Sequence, residues 1–177
     1  MALKRRAKGG SNSTTNNPGP KKKTKTTSAP SILSAIKKAY DAYNKDDRKV
    51  LLAVRDMIYA TASTDERIGT LTETLKWGEP AYLTEATGAG STLRLGYSKL
   101  VQGPAMFVSC STPLLRHLKS LDTEGTLDYF GLRDIAIPQS GEVWTPQQKK
   151  MLQTCILETF TYHLNKKKIK KAMENIK

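Results

Sequence analysis

The chain has 177 residues, 38% of them hydrophobic and 25% charged, with a formal net charge of +13. That length supports one domain with a real core, and the low apolar fraction leaves part of the chain outside it. No apolar run approaches the ~20 residues of a membrane-spanning helix, and the basic start from Met1 to Lys8 is followed by no apolar stretch of the secretory kind, so the sequence predicts a soluble, intracellular, cytoplasmic protein without a membrane partner.

The positive charge sits at the ends. Residues 1–30 hold eight Lys and Arg and no acid, and residues 166–177 hold six Lys against Glu174, so residues 31–165 are neutral as a whole. Residues 1–30 are otherwise Ser, Thr, Asn, Gly and Pro, the composition of a disordered basic arm. Within it Pro20-Lys-Lys-Lys-Thr-Lys25 resembles a single-cluster nuclear import signal, which in a eukaryotic source would send the chain to the nucleus. Lys21, Lys22, Lys23 and Lys25 would also neutralise the phosphates of a nucleic acid or other polyanion. The arm has no aromatic residue with which to stack bases.

Ile32, Leu33, Ile36, Ala39, Tyr40 and Tyr43 fall at helical spacing and predict a helix over 31–43. Asn44-Lys-Asp-Asp then offers a stop and a new N-cap. Val50, Leu51, Val54, Met57 and Ile58 form the apolar stripe of a second helix over 46–61, with Asp46 and Asp47 at its positive end. Residues 65–72 read as a turn or short helix.

From there the period becomes two. Leu75 and Trp77 alternate with Lys76, and Pro80 to Thr84 is extended. Thr87-Gly-Ala-Gly-Ser91 reads as a flexible hairpin loop. It lacks a P-loop lysine and precedes a strand rather than a helix, so it is no phosphate cradle. Leu93, Leu95 and Tyr97 alternate with polar and small residues as a half-buried strand. Ala105 to Cys110 is more uniformly apolar, as a central strand is. Thr112 as N-cap and Pro113 at the first helical position open a helix through Leu114, Leu115, Leu118 and Leu121. Thr126–Phe130 and Asp134–Pro138 are two further short strands.

Thr145-Pro-Gln-Gln148 is a capping-box pattern. It opens a last helix with Leu152, Cys155, Ile156, Thr159, Phe160 and His163 along one side. Residues 166–177 are a basic C-terminal tail, with a frayed basic continuation of the helix as the alternative, and Lys166, Lys167 and Lys168 in it are further polyanion contacts. Helices at both ends of a series of strands joined by short loops predict an α+β fold. This is a two-layer sandwich with an antiparallel sheet of five to six strands and the N- and C-terminal helices on one face.

Glu73-Thr-Leu-Lys-Trp-Gly-Glu-Pro-Ala-Tyr82 resembles the signature of the YdhG-like domains of unknown function, which belong with the YjbR/CyaY-like group. The resemblance covers residues 46–165, within a domain of 31–165, and leaves both basic ends outside. It implies a frataxin-like fold. Most such proteins have no assigned activity; the resemblance implies as alternatives frataxin-like iron chaperoning, described for some of them, and the DNA binding proposed for the YjbR branch.

Independently of any family, Gly78 and Pro80 suit a sharp bend between two strand pieces. Trp77 and Tyr82 flank the bend, and their large side chains are expected to anchor it to the core. The functional alternative is a ligand pocket beside the bend, formed by Lys76, Trp77, Glu79 and Tyr82.

Catalytic and metal chemistry find little. Iron needs several converging oxygen ligands. Asp46 and Asp47, with Asp41 and Asp56 near, are the only candidates, and the first two are explained as helix-start residues. Cys110, Cys155, His117 and His163 lack zinc-ligand spacing, and the cysteines are expected to be two buried free thiols. His117 is expected on the solvated side of its helix. No nucleophile motif occurs. The expected function is therefore that of a non-enzymatic binding or adaptor module without a cofactor. It would hold a small ligand or protein partner and contact polyanions through its basic ends.

Overall fold

The computed structural model describes residues 29–139 and 144–174. The expected basic arm lies almost wholly outside the described residues, with Lys21, Lys22, Lys23 and Lys25. In chain order the elements are α1 (Ser34–Asp41), α2 (Lys45–Ala62), β1 (Thr72–Lys76), β2 (Glu79–Leu83), β3 (Leu93–Ser98) and β4 (Gly103–Phe107). They continue with α3 (Leu114–Leu121), β5 (Tyr129–Phe130), β6 (Asp134–Ala136), α4 (Pro146–Phe160) and α5 (Tyr162–Glu174). The strands make one sheet in the order β1-β2-β3-β4-β6-β5, each neighbour antiparallel. The fold is α+β, a six-stranded antiparallel sheet layered with helices.

Local chemistry sets the helix starts. The Asn44 side chain accepts from Asp47 N at 2.8 Å and donates to the Asp47 carboxylate at 2.6 Å, which stops α1 from running into α2. The Thr145–Gln148 capping box forms as expected, with Pro146 in the first turn. The cap of α3 shifts by one residue: Pro113 is the N-cap, and the Thr112 hydroxyl accepts from Leu114 N at 3.3 Å.

The two-residue period of the strands sorts their faces. Tyr82, Leu93, Leu95, Met106 and Ile135 are buried in one cluster with Leu51, Val54 and Ile58 of α2 and Leu152 and Ile156 of α4. Each such side chain contributes about 1.5–3 kcal/mol of burial. Two buried polar contacts lock β1 and β2 to the helices. Arg55 donates to both Glu73 oxygens at 2.7 Å, and the Tyr40 and Tyr82 hydroxyls meet at 2.5 Å.

Two segments differ from expectation. The run from Lys166 takes the helical alternative, and it is packed rather than frayed. It belongs to α5, which buries Tyr162, Ile169 and Met173 and packs along α3, where Arg116 donates to the Met173 carbonyl at 2.7 Å. The 87–91 loop is not a free hairpin loop. Ala89 O accepts from His163 N at 2.9 Å and Leu164 N at 3.3 Å, and Ser91 N donates to Thr159 O at 2.8 Å. In a continuous helix those two amides would bond to the carbonyls of Thr159 and Phe160. The loop backbone is thus inserted into the helical ladder, and that breaks α4 from α5. Gly90 is required there, because a Cβ would sit inside the Phe160 backbone.

Candidate functional site

The β1–β2 hairpin closes with Lys76 paired to Glu79, so Trp77 and Gly78 alone form its turn. Both have positive φ, 59° and 78°, as a type I′ turn requires. Asn or Asp usually takes the first place of such a turn. A tryptophan there bears the left-handed penalty of about 1–2 kcal/mol. It also gains no burial, since Trp77 is 91% exposed. The expectation that both aromatics anchor the bend is therefore half corrected. Tyr82 is fully buried and is the anchor. Trp77 stands in the turn, outside the strand alternation, and points to solvent.

The sheet face opposite the helices carries the chemistry. Ala81, Arg94, Phe107 and Asp134 pair in register across β2, β3, β4 and β6, so they form one row on that face. The buried Phe107 ring seats two guanidiniums, Arg94 at 5.3 Å and Arg133 at 5.8 Å from its centroid. Above this row runs an open groove of about 360 Å³, bordered by Lys76, Trp77, Arg94, Cys110 and Arg133. Ser91, Thr92 and Ser109 add hydroxyls, and no carboxylate among the described residues lines it.

The groove's positive charge is only partly answered. Arg94 is paired with Glu79. Arg133, half exposed, lies 3.5 Å from Asp134, whose other oxygen accepts from Ser98 Oγ at 2.5 Å. Lys76 is exposed and has no carboxylate partner among the described residues. Burial pushes the Glu79 carboxyl above its ordinary value. The Arg94 and Arg133 guanidiniums oppose that push, and Asp134 adds to it. Glu79 is thus a weakened competitor for Arg94. An arrangement of two preset guanidiniums, hydroxyls and a bare indole can hold an anion beside a flat apolar group.

Of the four residues expected beside the bend, Lys76 and Trp77 border this groove. Glu79 lies just behind it, and Tyr82 faces the helices and takes no part. Arg94, Arg133 and Cys110 were not expected. Cys110 is exposed rather than buried, because β4 ends at Phe107 and the thiol lies past the strand. Cys155 is buried as expected.

The remaining candidates lie elsewhere. Asp46 is exposed, and Asp47 is engaged by Asn44 and by Gln139 at 2.8 Å. Among the described residues no three His, Cys, Asp or Glu are grouped to hold a metal ion. His117 is half-buried rather than solvated, with Nε2 3.1 Å from Glu158. His163 is exposed beside Tyr162. Lys166, Lys167 and Lys168 are exposed on α5. Among the described residues no helix is long and apolar enough to cross a membrane. Comparison of the chain with protein-family models, with curated proteins and with solved structures finds no match.

Proposed function

We propose that this protein is a non-enzymatic binding module that captures a small anionic ligand with a flat apolar part in the groove between the β1–β2 turn and the outer face of the sheet. One observation carries the reading: Trp77 is held at positive φ and exposed to solvent beside Arg94 and Arg133. A residue kept in a costly conformation with nothing to bury marks a site of use more often than a structural need. The test is fluorescence of Trp77 in a Trp144→Phe background, titrated with naphthalene-1,5-disulfonate. Saturable quenching is expected, weakened at least ten-fold by Arg133→Glu. Quenching that neither saturates nor responds to Arg133 would sink the proposal.

A second binding surface is supported by α5. Because Tyr162, Ile169 and Met173 fix that helix, Lys166, Lys167, Lys168, Lys170 and Lys171 form a fixed basic ridge. With the arm lysines, it suits a polyanion such as duplex nucleic acid, held through phosphate contacts. Duplex affinity across a salt series is expected to fall linearly on a log–log plot. Lys166→Gln with Lys167→Gln is expected to reduce the slope, and an unchanged slope would remove the ridge from the reading. The YdhG-like resemblance fits either form of binding. Its iron-chaperone branch has less support, since Asp46 and Asp47 serve the start of α2.

A further inference from the structure

Beyond Arg133 and Cys110 the outer face opens into a second cleft of about 510 Å³. Its walls are two neighbouring turns. One joins β3 to β4 and carries Leu100, 62% exposed; the other joins β5 to β6 and carries Leu132, 72% exposed. Tyr97, 45% exposed at the end of β3, also lines the cleft. Exposed leucines on loose loops mean little. Leu100 sits on a turn that is tied down: Ser98 Oγ accepts from Leu100 N at 3.1 Å and Val101 N at 3.2 Å while donating to Asp134 of β6. The two turns also touch, since a Cβ on Gly131 would lie 3.3 Å from Leu100 Cδ1.

The charges of the cleft are asymmetric. Its acids are already engaged, Glu79 by Arg94 and Asp134 by Ser98 and, at 3.5 Å, by Arg133. Its cations, Lys99 and Arg133, are exposed at the rim. A rigid apolar patch of leucine and tyrosine, rimmed by cations, is the composition of a protein-docking surface. From Thr92 to Lys99 strand β3 runs along both grooves, about 3.3 Å per residue, so a partner lying along it meets the basic part and the apolar part in turn.

We propose that this second cleft docks an extended peptide segment of a partner protein, one that places leucine or aromatic side chains between Leu100, Leu132 and Tyr97 and an acidic residue against Lys99 and Arg133. The site adjoins the Trp77 groove and shares Arg133 and Cys110 with it, so its test uses Leu100, Leu132 and Lys99, which border the second cleft and not the groove.

The test is an array of random nine-residue peptides probed with the full chain. Variants are Leu100→Ser with Leu132→Ser, and Lys99→Glu. Retained peptides are expected to combine an acidic residue with leucine or an aromatic a few positions away. Retention should fall at least ten-fold in the double variant, and Lys99→Glu should abolish the preference for acid. All substituted positions are exposed, and circular dichroism checks that the variants fold. The proposal is overturned if no peptide is retained, if the retained peptides show no acid-and-apolar pattern, or if the double variant retains them equally. It is also overturned if sedimentation shows the wild type self-associating and the double variant monomeric, because the cleft's occupant is then a second copy of this chain.

Discussion

Replacing Trp77 by asparagine is expected to stabilise the protein while removing its ability to report or hold a ligand. The indole is 91% exposed, so the substitution forfeits almost no burial. The backbone at φ 59° is one that asparagine adopts with far less strain. If about half of the ~1–2 kcal/mol left-handed penalty is relieved, folding stability rises by about 0.5–1 kcal/mol. For a chain of this size that corresponds to a Tm about 1–4 °C higher. A tryptophan that anchored the bend would behave oppositely, costing about 3–5 kcal/mol on truncation. Urea unfolding followed by circular dichroism separates the two cases by sign. A loss of more than about 1 kcal/mol in Trp77→Asn would refute both the turn argument and the claim that the residue is retained for binding.

Three further outcomes are expected. Arg55→Met strands the buried Glu73 carboxylate and should cost about 3–5 kcal/mol, whereas Arg55→Met with Glu73→Leu should recover much of that loss in the same urea assay. Because Glu79 has a raised folded pKa and competes for Arg94, disulfonate binding should tighten as pH falls through that value, which lies above the ordinary 4.5. The probe stays charged throughout, so Glu79→Gln should bind tighter at neutral pH and lose most of the pH dependence; an unchanged profile would refute the competition of Glu79 for Arg94. Burial pushes the Cys155 thiol up to about 12, so iodoacetamide under native conditions should alkylate Cys110 alone, and both thiols once the chain is unfolded, as mass spectrometry will count.

The helices and strands were legible because their signals are local. The Asn44 stop and the Thr145 capping box act within four residues, and the alternation of Leu93 with Leu95 is the pleat itself. Trp77 misled because alternation continues on paper through a residue that the Lys76–Glu79 pairing places in the turn; Trp-Gly lacks the Asn-Gly signature that would have announced it. Arg94 and Arg133 were illegible for another reason. They converge on Phe107 only through the register of β3, β4 and β6, and nothing in their own neighbourhoods marks that meeting. The helical period of α5 lies under its charge. Tyr162, Ile169 and Met173 recur at seven and four, a helical spacing that the interleaved lysines mask.

The insertion of residues 89–91 into the joint between α4 and α5 has a mechanical consequence. Ser91 both borders the Trp77 groove and donates to Thr159 across that joint, while Gly90 leaves no slack between loop and helix. The heading of the lysine-bearing helix and the mouth of the groove are therefore set by one splint. A load applied to the C-terminal helix, by a bound polyanion or a fused domain, is delivered to the 89–91 loop at the edge of the groove rather than absorbed in a hinge.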